Sequence, residues 1–253
     1  MYFYPDTDDK ITQNLIRYKE PYKGYWKKSE EYMLSLAEEI FKSSKYERLF
    51  DLGAGKGRLL IRFSKYFNKI IAMEPDKKRL KAAKENVKKE GLKNIVFIQK
   101  SFLNSKLPKS YFDVVVCSHL IQHINTKDIK PTLDRIYEIL KNNGILILAT
   151  NHSNNDAFFK SFSDGNTVSE HEISENEFNS LIANKQNILP IHFFSIKTLK
   201  KELKKFSINK LKVFHDLYPE NFLDKVIFRD CIINLFFLKK FFGRDIFIIA
   251  RKE

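Results

Sequence analysis

From residue 48 to residue 149 the chain alternates short, nearly continuous apolar runs with longer stretches whose apolar residues recur every three or four positions. The runs predict strands over 48–52, 69–74, 94–100, 111–118 and 145–149. Between them, helices are predicted over 57–67, over 77–90 with Gly91 closing the last turn, and from Thr126 or Asp128 to Lys141, ending at Asn143-Gly144. Upstream, Met33, Leu34, Leu36, Ala37, Ile40 and Phe41 give 29–42 one apolar side. The stretch 111–118 is apolar almost throughout, as a strand covered on both faces should be. Strands alternating with helices call for a mostly parallel sheet between two helical layers, a three-layer α/β sandwich.

After residue 151 the rhythm breaks. Residues 152–195 are rich in Asn, Ser and acidic side chains before turning apolar at Ile188-Leu189-Pro190-Ile191. A helix over 195–205 with Ser195 as its cap is expected, then a strand over 208–215 and a terminal strand over 246–250. We therefore read one domain over 1–253. It comprises an arm and helix over 1–45 (a short helix near 11–17 included), a core over 46–151, and two segments, 152–195 and 218–243, as a candidate substrate cover.

A length of 253 residues, 43% hydrophobic and 30% charged, suits one large soluble α/β domain. The N-terminus lacks the pattern of a secretory signal, and no apolar run approaches the ~20 residues of a bilayer span. A cytoplasmic protein without a membrane span is expected. The net charge of +14 admits a nucleic-acid partner, but the excess is mostly scattered lysine without arginine-aromatic interleaving, so that partner is not favoured.

The chemistry concentrates where the first strand meets its helix, at Asp51-Leu52-Gly53-Ala54-Gly55-Lys56-Gly57. A strand-glycine-helix unit attracts anions through bare backbone N–H groups. A dinucleotide site would space its glycines Gly-x-Gly-x-x-Gly and press a pyrophosphate on the turn. Here the spacing is one residue tighter, and Asp51 would repel a pyrophosphate while welcoming an ammonium group. The ligand that suits such a turn carries an amine and a carboxylate, as S-adenosylmethionine does. Glu74 ends the second strand about 20 residues past the glycines, where a ribose diol is held. NAD shares that ribose, so Glu74 alone separates nothing; Asp51 does.

These residues, with Phe112-Asp113-Val114-Val115-Val116, His123 and Leu140-Lys141-Asn142-Asn143-Gly144, resemble the class I S-adenosylmethionine-dependent methyltransferases. The likeness is to the small-molecule branch that includes quinone-biosynthesis enzymes. It implies a Rossmann-like, seven-stranded sheet in the order 3-2-1-4-5-7-6 with strand seven antiparallel, N-terminal helices and an insert after strand five. It also implies that Asp51, Gly53, Ala54 and Gly55 hold the methionine portion and Glu74 the ribose. Pro75 and Asp76 would flank the adenine, with Ser101 and Phe102 meeting it from strand three. Family members often carry an aspartate where Ser101 stands, so a weaker acceptor faces the adenine here. Ser118 and His119 would lie beneath the sulfonium.

The activity implied is methyl transfer to a small-molecule acceptor, with S-adenosylhomocysteine as product. An RNA or protein acceptor, a catalytically silent cofactor-binding module and a dehydrogenase stand as alternatives. His119 and His123, four apart, read either as a base or orienting pair on a shared helical face, or as groups that cap, pack and touch the cofactor. Adding His152 makes a trio without a carboxylate or cysteine at ligand spacing, so no metal is expected.

Overall fold

The computed structural model describes residues 24–163, 168–184, 188–215 and 243–253. The expected arm helix near 11–17 and the candidate cover over 218–243 lie outside them, the terminal Gly243 of the latter apart. The core strands are β1 (Arg48–Leu52), β2 (Lys69–Met73), β3 (Ile95–Ile98), β4 (Phe112–Ser118) and β5 (Leu140–Asn151). Three more, β6 (Ala157–Ser163), β7 (Val168–Ile173) and β8 (Leu189–Phe193), form a small separate sheet. Last come β9 (Phe206–His215) and β10 (Gly243–Lys252). Helices α1 (Gly24–Ser43), α2 (Arg58–Phe63), α3 (Lys77–Lys89), α4 (Thr126–Ile139), α5 (Glu175–Asn184) and α6 (Ile196–Glu202) pack around them.

The main sheet runs β3-β2-β1-β4-β5-β10-β9. Its first five strands pair in parallel, and β10 enters antiparallel between β5 and β9. Counting β9 and β10 as strands six and seven, this is the order expected from the family resemblance. Strand periodicity divides the buried side chains between two faces. On β4, Val115 and Cys117 join one core while Val114 and Val116 join the other. Neither face can meet water, so helices cover both. Ile129, Leu133 and Ile136 of α4 and Leu199 of α6 close the first face. Met33, Ala37 and Phe41 of α1, with Leu60 and Phe63 of α2, close the second.

Three expected helices end early, the one over 195–205 at Glu202. The helix after the glycine turn stops at Phe63 and tightens into a 3-10 turn over Ser64–Tyr66 instead of running to residue 67. The last helix of the core ends at Ile139, not Lys141, because Leu140 turns extended (φ −70°, ψ 139°) and pairs with Phe112 as the start of β5. Fully burying Leu140 beneath the sheet outweighs the helix propensity of the last residues. The cap over Ser195 forms as expected, its side chain accepting the Thr198 N–H.

The 152–195 stretch folds into a sheet of order β7-β6-β8, antiparallel throughout, with α5 against it. Leu189, Ile191 and Phe193 pack on one side with Phe159; Phe178 and Ile182 pack on the other with Phe158. It departs from β5 and returns beside it. The Phe194 N–H donates to the Asn151 carbonyl and the Ser153 N–H to the Phe194 carbonyl, both at 3.1 Å. That anchorage sets the small sheet at the carboxyl end of β5, the end of a parallel sheet where ligands bind. Among the described residues, no helix is long and apolar enough to cross a membrane.

Candidate active site

The glycine turn is built by one backbone acceptor. The Met73 carbonyl, last residue of β2, takes the N–H groups of both Gly53 (2.9 Å) and Ala54 (3.0 Å). This folds the chain sharply at the end of β1 and leaves the Gly55 N–H to Glu74 Oε2, at 3.0 Å. Glu74 Oε1 accepts the Asp76 N–H at the same distance, so the carboxylate bridges the glycine turn and the start of α3. Gly53 has φ +82°, and a Cβ there would stand 2.6 Å from Leu120 Cδ1. Gly55 has φ +54° and, among the described residues, nothing within 4 Å of where its Cβ would be. The first glycine admits a neighbour; the second faces open space.

Asp51 lies under this turn, only 2% exposed. Its Oδ2 finds no hydrogen-bond partner among the described residues. Burial pushes its carboxyl from an ordinary 3.8 up to about 7, with the Arg58 charge opposing and the Glu74 charge adding to the rise. The Glu74 carboxyl is raised too, by burial, although the N–H groups of Asp76 and Gly55 and the Arg79 charge pull it back. Cys117 is a buried thiol pushed up to about 12 by burial and the nearby Asp51 charge, which makes it inert.

Beside the turn, a cavity of about 410 Å³ opens at the carboxyl ends of β1, β2 and β3. Of the residues singled out in the sequence, Gly53, Pro75, Ser101 and Phe102 line it. Asp76 serves the helix instead, its side chain accepting the Arg79 N–H at 2.7 Å as the N-cap of α3. Ser118 and His119 line a separate, far smaller hollow of about 20 Å³ beneath α1, against Met33 and Ala37. Lys100, at the end of the third predicted strand, lines the larger cavity too; missed in the sequence were Leu120, Ile124, Asp128 and Thr132. The last two stand one helical turn apart on α4, a spacing that signals a shared face without telling which cavity it meets.

The two histidines do not share a helical face. His119 adopts a left-handed backbone (φ +51°) at the end of β4, with its N–H donating to the Ala149 carbonyl at 2.8 Å. His123 follows in a single 3-10 turn over Ile121–His123 and is 3% exposed. Its Nδ1 lies 2.9 Å from the Pro190 carbonyl of β8, which only accepts, so Nδ1 carries the proton. Nε2 then accepts from the Gln122 amide nitrogen at 3.3 Å. Gln122 Oε1 in turn accepts the Thr150 hydroxyl and the Asn151 N–H, both at 3.1 Å. His123 thus ties the rim of the main sheet to the small one. His152 Nδ1 lies 2.7 Å from the Phe194 carbonyl; that oxygen only accepts, so Nδ1 is the donor. Among the described residues no three His, Cys, Asp or Glu side chains are grouped to hold a metal ion.

Removing the His123 imidazole strands both Gln122 and the Pro190 carbonyl in a buried site, at roughly 2 kcal/mol or more. His123→Ala is therefore expected to speed amide exchange in β6 and β8 at least tenfold while β1 and β4 stay protected. Uniform exchange across both sheets would show that the tie carries no local stability.

Residues 49–144 match the family model described as "Methyltransferase domain". In sequence the chain is similar to the uncharacterized methyltransferase YcgJ of Bacillus subtilis, 24% identical over 115 residues, 46% of this chain and 45% of that protein. It is also similar to a ubiquinone biosynthesis O-methyltransferase of Rhodopseudomonas palustris, 26% identical over 111 residues, 44% of this chain and 42% of that one. The chain spans about half the length of the curated relatives it matches. In fold it is similar to the crystal structure of YcgJ, with a TM-score of 0.57 and 16% identity over 88% of this chain and 99% of that one. It is likewise similar to the N-methyltransferase NodS of Bradyrhizobium japonicum in complex with S-adenosyl-L-homocysteine. There the TM-score is 0.60 at 10% identity, over 96% of this chain and 99% of the other.

Proposed function

We propose that this chain, a member of the S-adenosylmethionine-dependent methyltransferase family, transfers a methyl group to a small-molecule oxygen, nitrogen or carbon nucleophile. One observation carries the reading: among the described residues, a buried carboxylate oxygen of Asp51 has no donor, under a glycine turn whose middle glycine has no neighbour within 4 Å of its Cβ position. A buried carboxylate is costly unless paired, and an ammonium group is the partner it lacks. The residues present fit the cofactor. Asp51 would take the amine, and the turn from Gly53 through Ala54 to Gly55 the carboxylate end. Glu74 spends one lone pair of each oxygen on the N–H groups of Gly55 and Asp76, which leaves others for the ribose hydroxyls. Pro75, Ser101 and Phe102 would border the adenine in the cavity they line.

When bound, S-adenosylmethionine supplies an electrophilic methyl on sulfur. What the chain itself must do is hold the acceptor in line with that bond and exclude water, which is worth roughly 7–11 kcal/mol in favourable cases. Ser118 and His119 sit at the rim facing α1, and His119 is our candidate to take the acceptor's proton where the nucleophile arrives protonated. His123, with both ring nitrogens engaged inside the protein, positions the rim and the small sheet. That sheet, anchored at the end of β5, is our candidate cover. The small-molecule assignment draws support from the likeness to the ubiquinone biosynthesis O-methyltransferase and to the N-methyltransferase NodS.

Two measurements test this. Calorimetry with S-adenosylmethionine is expected to show micromolar binding; no heat would remove the assignment. With methyl-labelled cofactor and a cell extract, label is expected in the fraction below about 1 kDa. Label in RNA or protein instead would overturn the small-molecule acceptor while keeping the reaction.

A further inference from the structure

We infer that Asp128, on α4, recognises the amino edge of the cofactor's purine and so makes the site select adenine; this rests on the cofactor reading above. The 410 Å³ cavity has apolar walls from Leu52, Met73, Phe102 and Leu120, the shape of environment a flat heteroaromatic ring prefers. Specificity then depends on the polar groups that meet the ring's edge. Lys100, Ser101 and Asn104 on the loop after β3 and Asp128 and Thr132 on α4 supply them. Among the described lining residues, Asp128 is the one carboxylate.

A carboxylate only accepts hydrogen bonds, whereas a hydroxyl or amide adapts to either partner. Asp128 therefore favours a ring that presents an N–H donor, as a 6-amino purine does. It opposes a 6-oxo purine, whose carbonyl would face it oxygen to oxygen. Its position in the first turn of a helix has a blander explanation, complementing the helix N-terminus. The two roles are compatible, and the cap itself does not depend on Asp128, because Asn125 caps α4 by accepting the Lys127 N–H.

The same helix fixes the width of the gap. Seven residues on from Asp128, on the same face, Arg135 donates from Nη1 to the Leu103 carbonyl at 3.0 Å and from Nη2 to the Ser105 carbonyl. Its guanidinium also lies 5.3 Å from the centre of the Phe102 ring. The loop that carries Ser101 and Phe102 is thus pinned to the helix that carries Asp128. Arg135 is a positioning residue; Asp128 is the recognising group.

The test is calorimetric, with S-adenosylhomocysteine and its deaminated 6-oxo counterpart, S-inosylhomocysteine, as probes. The intact protein is expected to prefer the amino ligand by roughly 10- to 100-fold, the range of one charge-assisted hydrogen bond. Asp128→Ala should bring the ratio close to one. Asp128→Asn, whose amide can donate, should do so mainly by tightening the 6-oxo ligand. Because each ratio is taken within one variant, a general loss of stability cancels. Equal affinities in the intact protein, or an unchanged ratio in Asp128→Ala, would overturn the inference alone. Heat from neither ligand would overturn the cofactor reading and this inference with it.

Discussion

Replacing Asp51 by asparagine is expected to raise the melting temperature of the ligand-free protein at pH 8 while abolishing most of its affinity for S-adenosylmethionine. Both effects come from one buried group. Burial raises the Asp51 carboxyl from 3.8 to about 7, so the folded state holds its proton more tightly than the unfolded chain. Below about pH 4 the group is protonated in both states and costs nothing. Between pH 4 and 7 the unfolded chain releases the proton while the fold retains it, and stability falls as pH rises. Above about pH 7 the whole penalty is present. A shift of this size corresponds to roughly 4 kcal/mol, an upper bound for the gain because the asparagine amide still has to be buried. Recovering even 1–2 kcal/mol raises the melting temperature by roughly 2–8 °C in a domain of this size.

The ligand's ammonium supplies the charge that burial withholds, so binding ionises Asp51 and releases a proton below pH 7. Affinity should climb up to tenfold per pH unit toward about 7, then fall once the ligand's own amine, near 7.7–8.0, loses its charge. In Asp51→Asn the acid limb disappears and affinity drops at least 100-fold. Thermal melts at pH 5 and 8, with calorimetry in two buffers of different ionisation enthalpy, check all three statements. A variant that melts lower than the parent at pH 8, or binds as tightly, would mean that Asp51 is satisfied by the protein itself.

A carboxylate that costs stability where it stands is also what made the turn readable in the sequence. An acid where a hydrophobic strand ends, followed by glycines, has no packing reason to be there, and Asp51 and Glu74 both prove buried. The strands were readable for the opposite reason: covered on two faces, Val114 through Cys117 have no polar choice left. What stayed hidden depends on partners distant in sequence. The strands β6 and β7, paired with each other, read as polar excursion, because the other edge of Ala157-Phe158-Phe159-Lys160 is taken by 190–193, some thirty residues on. The spacing of His119 and His123 suggested a helix, yet one left-handed residue and a 3-10 turn separate their environments. Asp128 stood in the sequence only as one possible start of a helix, and the cavity it lines is what distinguishes it.

Gly55→Ala and Gly53→Ala are expected to fail in different ways, and the difference locates the ligand. An alanine at either position must hold a left-handed backbone, at roughly 1–2 kcal/mol. At Gly55 that strain is the whole cost to the fold, since a methyl group there meets nothing within 4 Å. Its melting temperature should drop by only about 2–8 °C. Yet the methyl group would occupy the space through which the ligand reaches the turn's backbone, and affinity should fall more than tenfold. At Gly53 the methyl group meets Leu120 at 2.6 Å and displaces a side chain that lines the 410 Å³ cavity. There the fold loses more, because overpacking adds about 1–3 kcal/mol to the strain, and binding falls with it. Melting and calorimetry on the pair separate the cases. If Gly55→Ala keeps full affinity, the ligand does not approach that glycine, and the amine partner of Asp51 must enter from the α1 side of the sheet instead.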